Sequence, residues 1–464
     1  MTALTEMSLL EVSERIRAKA VSPVEVTEAC LARAEATEPK LHAFSNLMPE
    51  KAMAAARAAE AEIAAGAWRG PLHGIPVGIK ELYDVAGEPT TSSSRVRENW
   101  RAETDSASVA QLRAAGAIVM GKTHTHEFAY GFVTPESRNP WNPDHIPGGS
   151  SGGSGAAVAA GSCYMGMGSD TGGSIRQPAA LCGTVGLKPT FGRCSRVGVT
   201  SLSWSLDHVG PLTRTVGDAA VTLNAIAGHD PRDPGSVDLP VEDYAGALGR
   251  DPKGLRVGVP KNHFFDLLHP EVESAVRGAV DALAAEGAIV SEVEIPYADQ
   301  LMAVEFAICL PEASEYHRRM LRETPELYLP DVREVLERGE MIPATRYIQA
   351  LRLRRLMQRG WAEMMRDVDV VIAPASAVPA PRVGEEEVDW GQGVTEPLMA
   401  TFARITAPGN VLGLPAVAMP CGFSSDGLPL GLQAIGRPFE EATVIRLCDA
   451  YERMTNWTSR RPAI

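Results

Sequence analysis

The sequence predicts an α/β protein: one large domain over residues 1–464, with a mixed β-sheet core surrounded by α-helices. Three observations lead there. A helix–glycine–strand rhythm recurs, around Gly116 at 106–120 and around Gly287 at 269–295. Short, uniformly apolar runs between glycine, proline or serine read as strands covered on both faces. The 464 residues hold no repeat, low-complexity tract or linker, and 45% hydrophobic with 22% charged residues is the composition of a chain that can bury a sizeable core. Four stretches divide the domain: a helical segment 1–70, a motif-rich core 71–217, a region 218–365 without such motifs, and closing strands and a helix at 366–464.

The elements follow in order. Ser8 with Glu11 and Ser22 with Glu25 make two capping boxes, the second with Pro23 at the first helical position. Val26, Cys30 and Ala34 then share one face, and Pro39 is expected to follow that helix. Alanine-rich 49–65 is a further helix, and all three are expected on the outside of the core. Ile75–Ile79 is a buried strand that delivers Lys80 at its end. Residues 106–115 form a helix stopped by Gly116, with Ala117–Met120 the next strand. Gly287 likewise separates a helix from the strand Ala288–Ile295. Val368–Ala373 and Ala416–Met419 are buried strands, Ser424–Gly427 is a turn before the strand Leu430–Ile435, and 439–454 is the last helix.

The chemistry-bearing stretch runs from Gly148 to Arg176. It opens Gly148-Gly149-Ser150-Ser151-Gly152-Gly153-Ser154-Gly155, crosses an apolar segment, and closes Ser169-Asp170-Thr171-Gly172-Gly173-Ser174-Ile175-Arg176. Glycine lets backbone come close to a reacting atom, and serine supplies a hydroxyl for attack, relay or hydrogen bonding. An apolar segment between the clusters argues against a disordered Gly/Ser linker. Thr171, Gly172, Gly173 and Ser174 offer successive backbone N–H groups, a nest that can hold an oxyanion or simply a tight turn. Asp170 and Arg176, on either side, suit a structural role in fixing the loop.

These blocks resemble the signature of the amidase signature hydrolases: the first cluster matches its GGSSGGS block, and Thr171–Arg176 its nucleophile block. Gly183–Thr190, Ile75–Lys80 and Gly413–Ala416 are similar to further family blocks. The resemblance implies Ser174 as nucleophile, Ser150 as a bridging serine on a cis peptide, and Lys80 as base, 70 residues before Ser150. A serine needs a base to take its proton, and lysine serves only when neutral, which burial favours. The oxyanion would rest on Thr171, Gly172 and Gly173. It further implies a small-molecule amide substrate, an acyl-enzyme, no metal or organic cofactor, and a substrate pocket lined by 218–365. A glutaminase subunit of a tRNA-dependent amidotransferase shares every block and is the alternative. The family usually carries asparagine where His124 stands, and a longer segment where Thr134–Asn139 stands.

Three other patterns carry less. Gly116–Thr123 fits GxxxxGK[ST], but its apolar middle reads as strand where a phosphate cradle needs a loop. Gly148–Gly152 fits GxSxG, yet the proline-bearing Asn139–Asp144 before it cannot be a central strand. His124 and His126 lack an evident carboxylate or cysteine partner, so packing or loop hydrogen bonding is expected of them. Arg346 and Arg352 suit surface helix charge better than a substrate carboxylate.

A net charge of −14 argues against a nucleic-acid surface. Seven cysteines without a CxxC pair read as free thiols in a reducing cytoplasm. Neither a signal peptide nor a membrane span is expected, and a homodimer is the candidate assembly.

Overall fold

The computed structural model describes residues 3–464. Thirteen strands occur among them: β1 Phe44–Leu47, β2 Pro76–Lys80, β3 Ile118–Thr123, β4 Met165–Asp170, β5 Val185–Lys188, β6 His208–Thr213, β7 Arg256–Pro260, β8 Ile289–Val293, β9 Val370–Pro374, β10 Glu387–Asp389, β11 Thr395–Pro397, β12 Ala416–Phe423 and β13 Pro429–Gly436. Eleven of them form one sheet in the order β1-β3-β2-β4-β6-β5-β12-β13-β9-β7-β8, and β10 and β11 make a separate ribbon. The sheet is mixed. β2 runs parallel to β3 and β4, β7 runs parallel to β8 and β9, and antiparallel pairs join these units through the centre. Most strands are buried end to end, as uniformly apolar runs require; β8, on the sheet's rim, is exposed along most of its length.

Helices cover both faces. The two N-terminal helices begin with the capping boxes at Ser8 and Ser22. The second runs Pro23–Leu41, so Pro39 lies inside it rather than after it. Pro39 is in the last turn, where its missing N–H forfeits a single i to i−4 bond. The chain then leaves through His42 in the left-handed region, and the Glu38 carboxylate accepts the N–H groups of Ala43 and Phe44. The helices 106–115 and 269–286 expected around Gly116 and Gly287 are Ala107–Ala114 and Pro270–Ala285. Between β8 and β9 stand three long helices, Leu301–Glu323, Pro330–Glu340 and Ala344–Met364.

Two features position the site. Parallel pairing of β2 with β4 sets Ile79 against Met167. Carried one residue on, that register puts Lys80 level with Gly168 and beside Ser169. The second is the helix Gly152–Ala160, every residue of which is buried. Its small side chains let the backbone pack tightly: a Cβ on Gly153 would stand 2.5 Å from the Ala43 carbonyl oxygen and 2.6 Å from the His124 nitrogen. The loop before this helix is thereby held against the ends of β2, β3 and β4.

Candidate active site

Lys80 is fully buried, and its side-chain nitrogen is surrounded by hydroxyls. Nζ lies 2.7 Å from Ser150 Oγ, 2.8 Å from Ser151 Oγ and 2.9 Å from Ser169 Oγ. Burial drives the lysine pKa well below its ordinary value, against weaker support for the charge from Asp170 and Asp207. A neutral amine has two hydrogens to donate and one lone pair, so three hydroxyls satisfy it, one of them as donor to nitrogen.

Ser150 sits at the end of the glycine-rich loop, fully buried, on a cis Gly149–Ser150 peptide bond. Its carbonyl accepts the His126 N–H at 3.1 Å and the Thr134 hydroxyl at 3.2 Å. The Gly149 N–H is held by Gln177 Oε1 at 2.8 Å. Ser151 ties this loop to the next one, because its N–H donates to the Ser174 carbonyl at 3.2 Å. The Ser150 and Ser174 loops are thus joined by backbone, with Lys80 beneath the first.

Ser174 ends the turn that follows β4 and is 4% exposed. Gly173 within the turn has φ +139°, and a Cβ there would stand 2.0 Å from Thr406 Oγ1, so the position admits only glycine. Thr406 donates to the Gly172 carbonyl and pins the turn from the helix Leu398–Thr406. Among the described residues, the N–H groups of Thr171, Gly172, Gly173 and Ser174 find no acceptor within the chain. Thr171 Oγ1 donates to Asp207 Oδ1 at 2.7 Å.

Asp170 and Arg176 hold the turn's two ends. The guanidinium grips the carboxylate with Nε at 3.1 Å and Nη2 at 3.0 Å, and the Ile175 N–H adds a bond at 3.1 Å. Asn410 and Gln433 complete the cage around both. Burial would raise the Asp170 pKa, but Arg176 and its partners hold the carboxyl well below its ordinary range. Both residues do structural work, as their flanking positions suggested.

A pocket of about 440 Å³ including open solvent reaches Ser174, Thr171 and Gly172. Its other walls come from Tyr130 and Phe132, from Phe306 and Cys309 on the helix Leu301–Glu323, and from Met399 and Ala403. A second cavity, of about 680 Å³ including open solvent, touches Ser169, Thr171, Asp207 and His208 and shares Leu202 with the first.

Gly121, Lys122 and Thr123 of the GxxxxGK[ST] match lie inside β3, all buried, with Lys122 paired to Glu81 at 3.3 Å. His124 Nδ1 approaches Ser93 Oγ at 3.4 Å, whereas His126 Nδ1 takes the Val133 N–H at 3.4 Å and its Nε2 meets Asp331 at 3.2 Å. Among the described residues no group of three or more His, Cys, Asp or Glu could hold a metal ion. Ser151, Ser169 and Asp207 were not singled out from the sequence as partners of the lysine and of Thr171. Ser151 and Ser169 stand within the glycine-serine blocks, but only the tertiary structure shows that they face Lys80.

The family model described as Amidase matches residues 25–445. The chain is 54% identical to an amidase of Pseudomonas putida, over 100% of this chain and 99% of that protein. It is 42% identical to a glutamyl-tRNA(Gln) amidotransferase subunit of Chloroflexus aggregans, over 99% of each chain. A crystal structure of an amidase superposes with a TM-score of 0.87 at 34% identity, covering 97% of this chain and 100% of that one. With the motifs, the sheet and the lysine–serine cluster in one place, the chain belongs to the amidase family.

Proposed function

We propose that this amidase-family hydrolase cleaves a small carboxylic amide through an acyl-enzyme on Ser174. The observation that carries the reading is the buried Lys80 nitrogen 2.7 Å from Ser150 Oγ, in a loop bonded to that of Ser174. Neutral Lys80 takes the Ser150 proton while Ser150 takes that of Ser174. The Ser174 oxygen bonds to the substrate carbonyl carbon, and the developing oxyanion rests on the free N–H groups of Thr171, Gly172 and Gly173. The C–N bond then breaks, the proton returns along the same path to the leaving amine or ammonia, and water hydrolyses the acyl ester.

The higher identity to the Pseudomonas putida amidase, 54% against 42%, supports a chain that works alone over a glutaminase subunit. The test has two arms. The purified chain should hydrolyse simple amides without partner subunits or tRNA, and Ser174→Ala should abolish this while leaving the fold intact. A sulfonyl fluoride should leave one adduct, on Ser174. Turnover that required partner subunits and tRNA would establish the glutaminase alternative; an adduct on Ser150 or Ser151 would overturn the assignment of the nucleophile.

A further inference from the structure

The pocket beside Ser174 contains two polar side chains with unmet hydrogen-bonding capacity. Tyr130 follows the short turn Glu127–Ala129 and is 6% exposed; its hydroxyl has no partner among the described residues. Glu305 projects from the helix Leu301–Glu323 and is 4% exposed. Its Oε2 is buried without a partner, and its Oε1 lies against the catalytic turn, 3.2 Å from where a Cβ on Gly172 would stand. Buried polar groups are almost always satisfied, and each one left alone carries its full desolvation cost. Two such groups in one pocket, otherwise walled by Phe132, Phe306 and Met399, are placed to meet a ligand.

Their chemistry describes that ligand. No arginine or lysine lines the pocket. Arg354, the nearby cation that most favours a charged Glu305, donates to the carbonyls of Val411 at 2.6 Å and Ser205 at 3.1 Å. Burial pushes the Glu305 carboxyl well above its usual pKa, which favours the protonated form, and a protonated carboxyl offers both an O–H donor and a carbonyl acceptor. A phenol likewise donates and accepts. A substrate carboxylate would meet no counter-charge here, and an all-alkyl acyl group would leave both groups unmet.

We propose that Tyr130 and Glu305 select substrates whose acyl part carries a second uncharged amide-like group, a carboxamide or ureido function, and disfavour those ending in a carboxylate or in alkyl alone. This rests on the reading of Ser174 as the nucleophile of an amide hydrolase. It makes Tyr130 and Glu305 specificity determinants rather than proton carriers.

The test compares malonamide with 3-methylbutanamide and succinamide with 4-methylpentanamide, each pair matched in shape, with malonamate as the charged case. In the wild-type chain kcat/KM should favour the diamide by about tenfold to a hundredfold in at least one pair, since a site built to hydrogen-bond a group rejects analogues lacking it. Malonamate should be the poorest of the malonyl set. Tyr130→Phe and Glu305→Leu should each lower the diamide-to-alkyl ratio by about tenfold, whereas Glu305→Gln, which also donates and accepts, should keep most of it. Calorimetric binding of the same compounds to Ser174→Ala should give the same ranking without turnover. Ratios near one in both pairs, or ratios unmoved by Tyr130→Phe and Glu305→Leu, overturn the proposal. Diamide-selective binding without turnover of any amide by the wild type would instead overturn the hydrolase reading and leave the pocket assignment standing.

Discussion

Lys80 is where side-chain environment matters most. An ordinary lysine, with a pKa of about 10.4, is almost wholly protonated at neutral pH and cannot act as a base. Burial works against the charged form by lowering its pKa, with Asp170 and Asp207 opposing only in part. Between the folded and the unfolded pKa the unfolded chain holds a proton that the folded chain lacks, so stability rises with pH across that window. The destabilisation is complete below the folded pKa and gone above the unfolded one. Lys80→Met should therefore gain stability relative to wild type as pH falls from about 10 toward neutrality, as urea midpoints over that range would show. In the wild type kcat/KM should rise with pH through a single ionisation well below that of free lysine, and Lys80→Ala should lose this limb with most activity. An unchanged limb in Lys80→Ala would remove Lys80 from the mechanism. Ser150→Ala keeps the amine but breaks the relay, and should slow turnover by about 10²–10⁴-fold; near-normal turnover would show that the proton takes another route.

At the scale of elements, the turn from Asp170 to Arg176 is held because several separate pieces of chain close on it. Thr406 binds it from one helix, and Asn410 from the next. The Asp170–Arg176 pair, both 0% exposed, spans its ends, and Gln433 of β13 completes the Arg176 cage at 2.9 Å. Removing one member leaves the other charged and buried without its counter-charge. Arg176→Met should cost about 3–5 kcal/mol of unfolding free energy, measured by urea denaturation, and should reduce kcat more than KM because the N–H groups of the turn lose their aim. A loss within about 0.5 kcal/mol, the range of surface substitutions, would show that the pair does not hold the turn.

At the scale of the whole molecule, one buried histidine sensitises the fold to acid. His317 is fully buried between the Phe128 ring, 4.3 Å away, and the Tyr328 hydroxyl, 3.0 Å from its Nδ1. Burial, reinforced by Arg97, lowers its pKa to about 3. From about 6.5 down to about 3 the unfolded chain takes up a proton that the folded chain refuses, at up to about 1.4 kcal/mol per pH unit. Stability therefore falls with pH across that range. His317→Gln should be no more stable than wild type at pH 7, yet should lose less on acidification to about pH 4.5, as thermal unfolding at the two pH values would reveal. Parallel losses in the two proteins would show that His317 is not what sensitises the fold. No helix among the described residues is long and apolar enough to cross a membrane. All seven cysteines are free and buried.

Local sequence determined more of this protein than its size suggests. Capping boxes, the glycine stops at 116 and 287, and uniformly apolar runs each act over a few residues, so most of the expected helices and strands stand where their patterns lie. The contiguous blocks around Lys80, Ser150 and Ser174 point to the proposed reacting groups for the same reason: backbone-built loops need glycine and serine in order. Pro39 departs from its pattern because the Glu38 carboxylate, bonded to the chain beyond the helix, stabilises a last turn that proline alone would end. In the large sheet, β1, β4, β5, β6 and β7 went unread because each is stabilised as a strand by neighbours distant in sequence. Only the β2–β4 register brought Ser169 beside the lysine, and only the packing of the helix Gly152–Ala160 brought Ser151 there. Only packing of the helix Leu301–Glu323 against the catalytic turn brought Glu305 to Gly172, 133 residues before it in the chain. Contacts of that span leave no periodicity to read: they depend on which faces the sheet and helices must bury, and that is decided when the whole chain closes on one core.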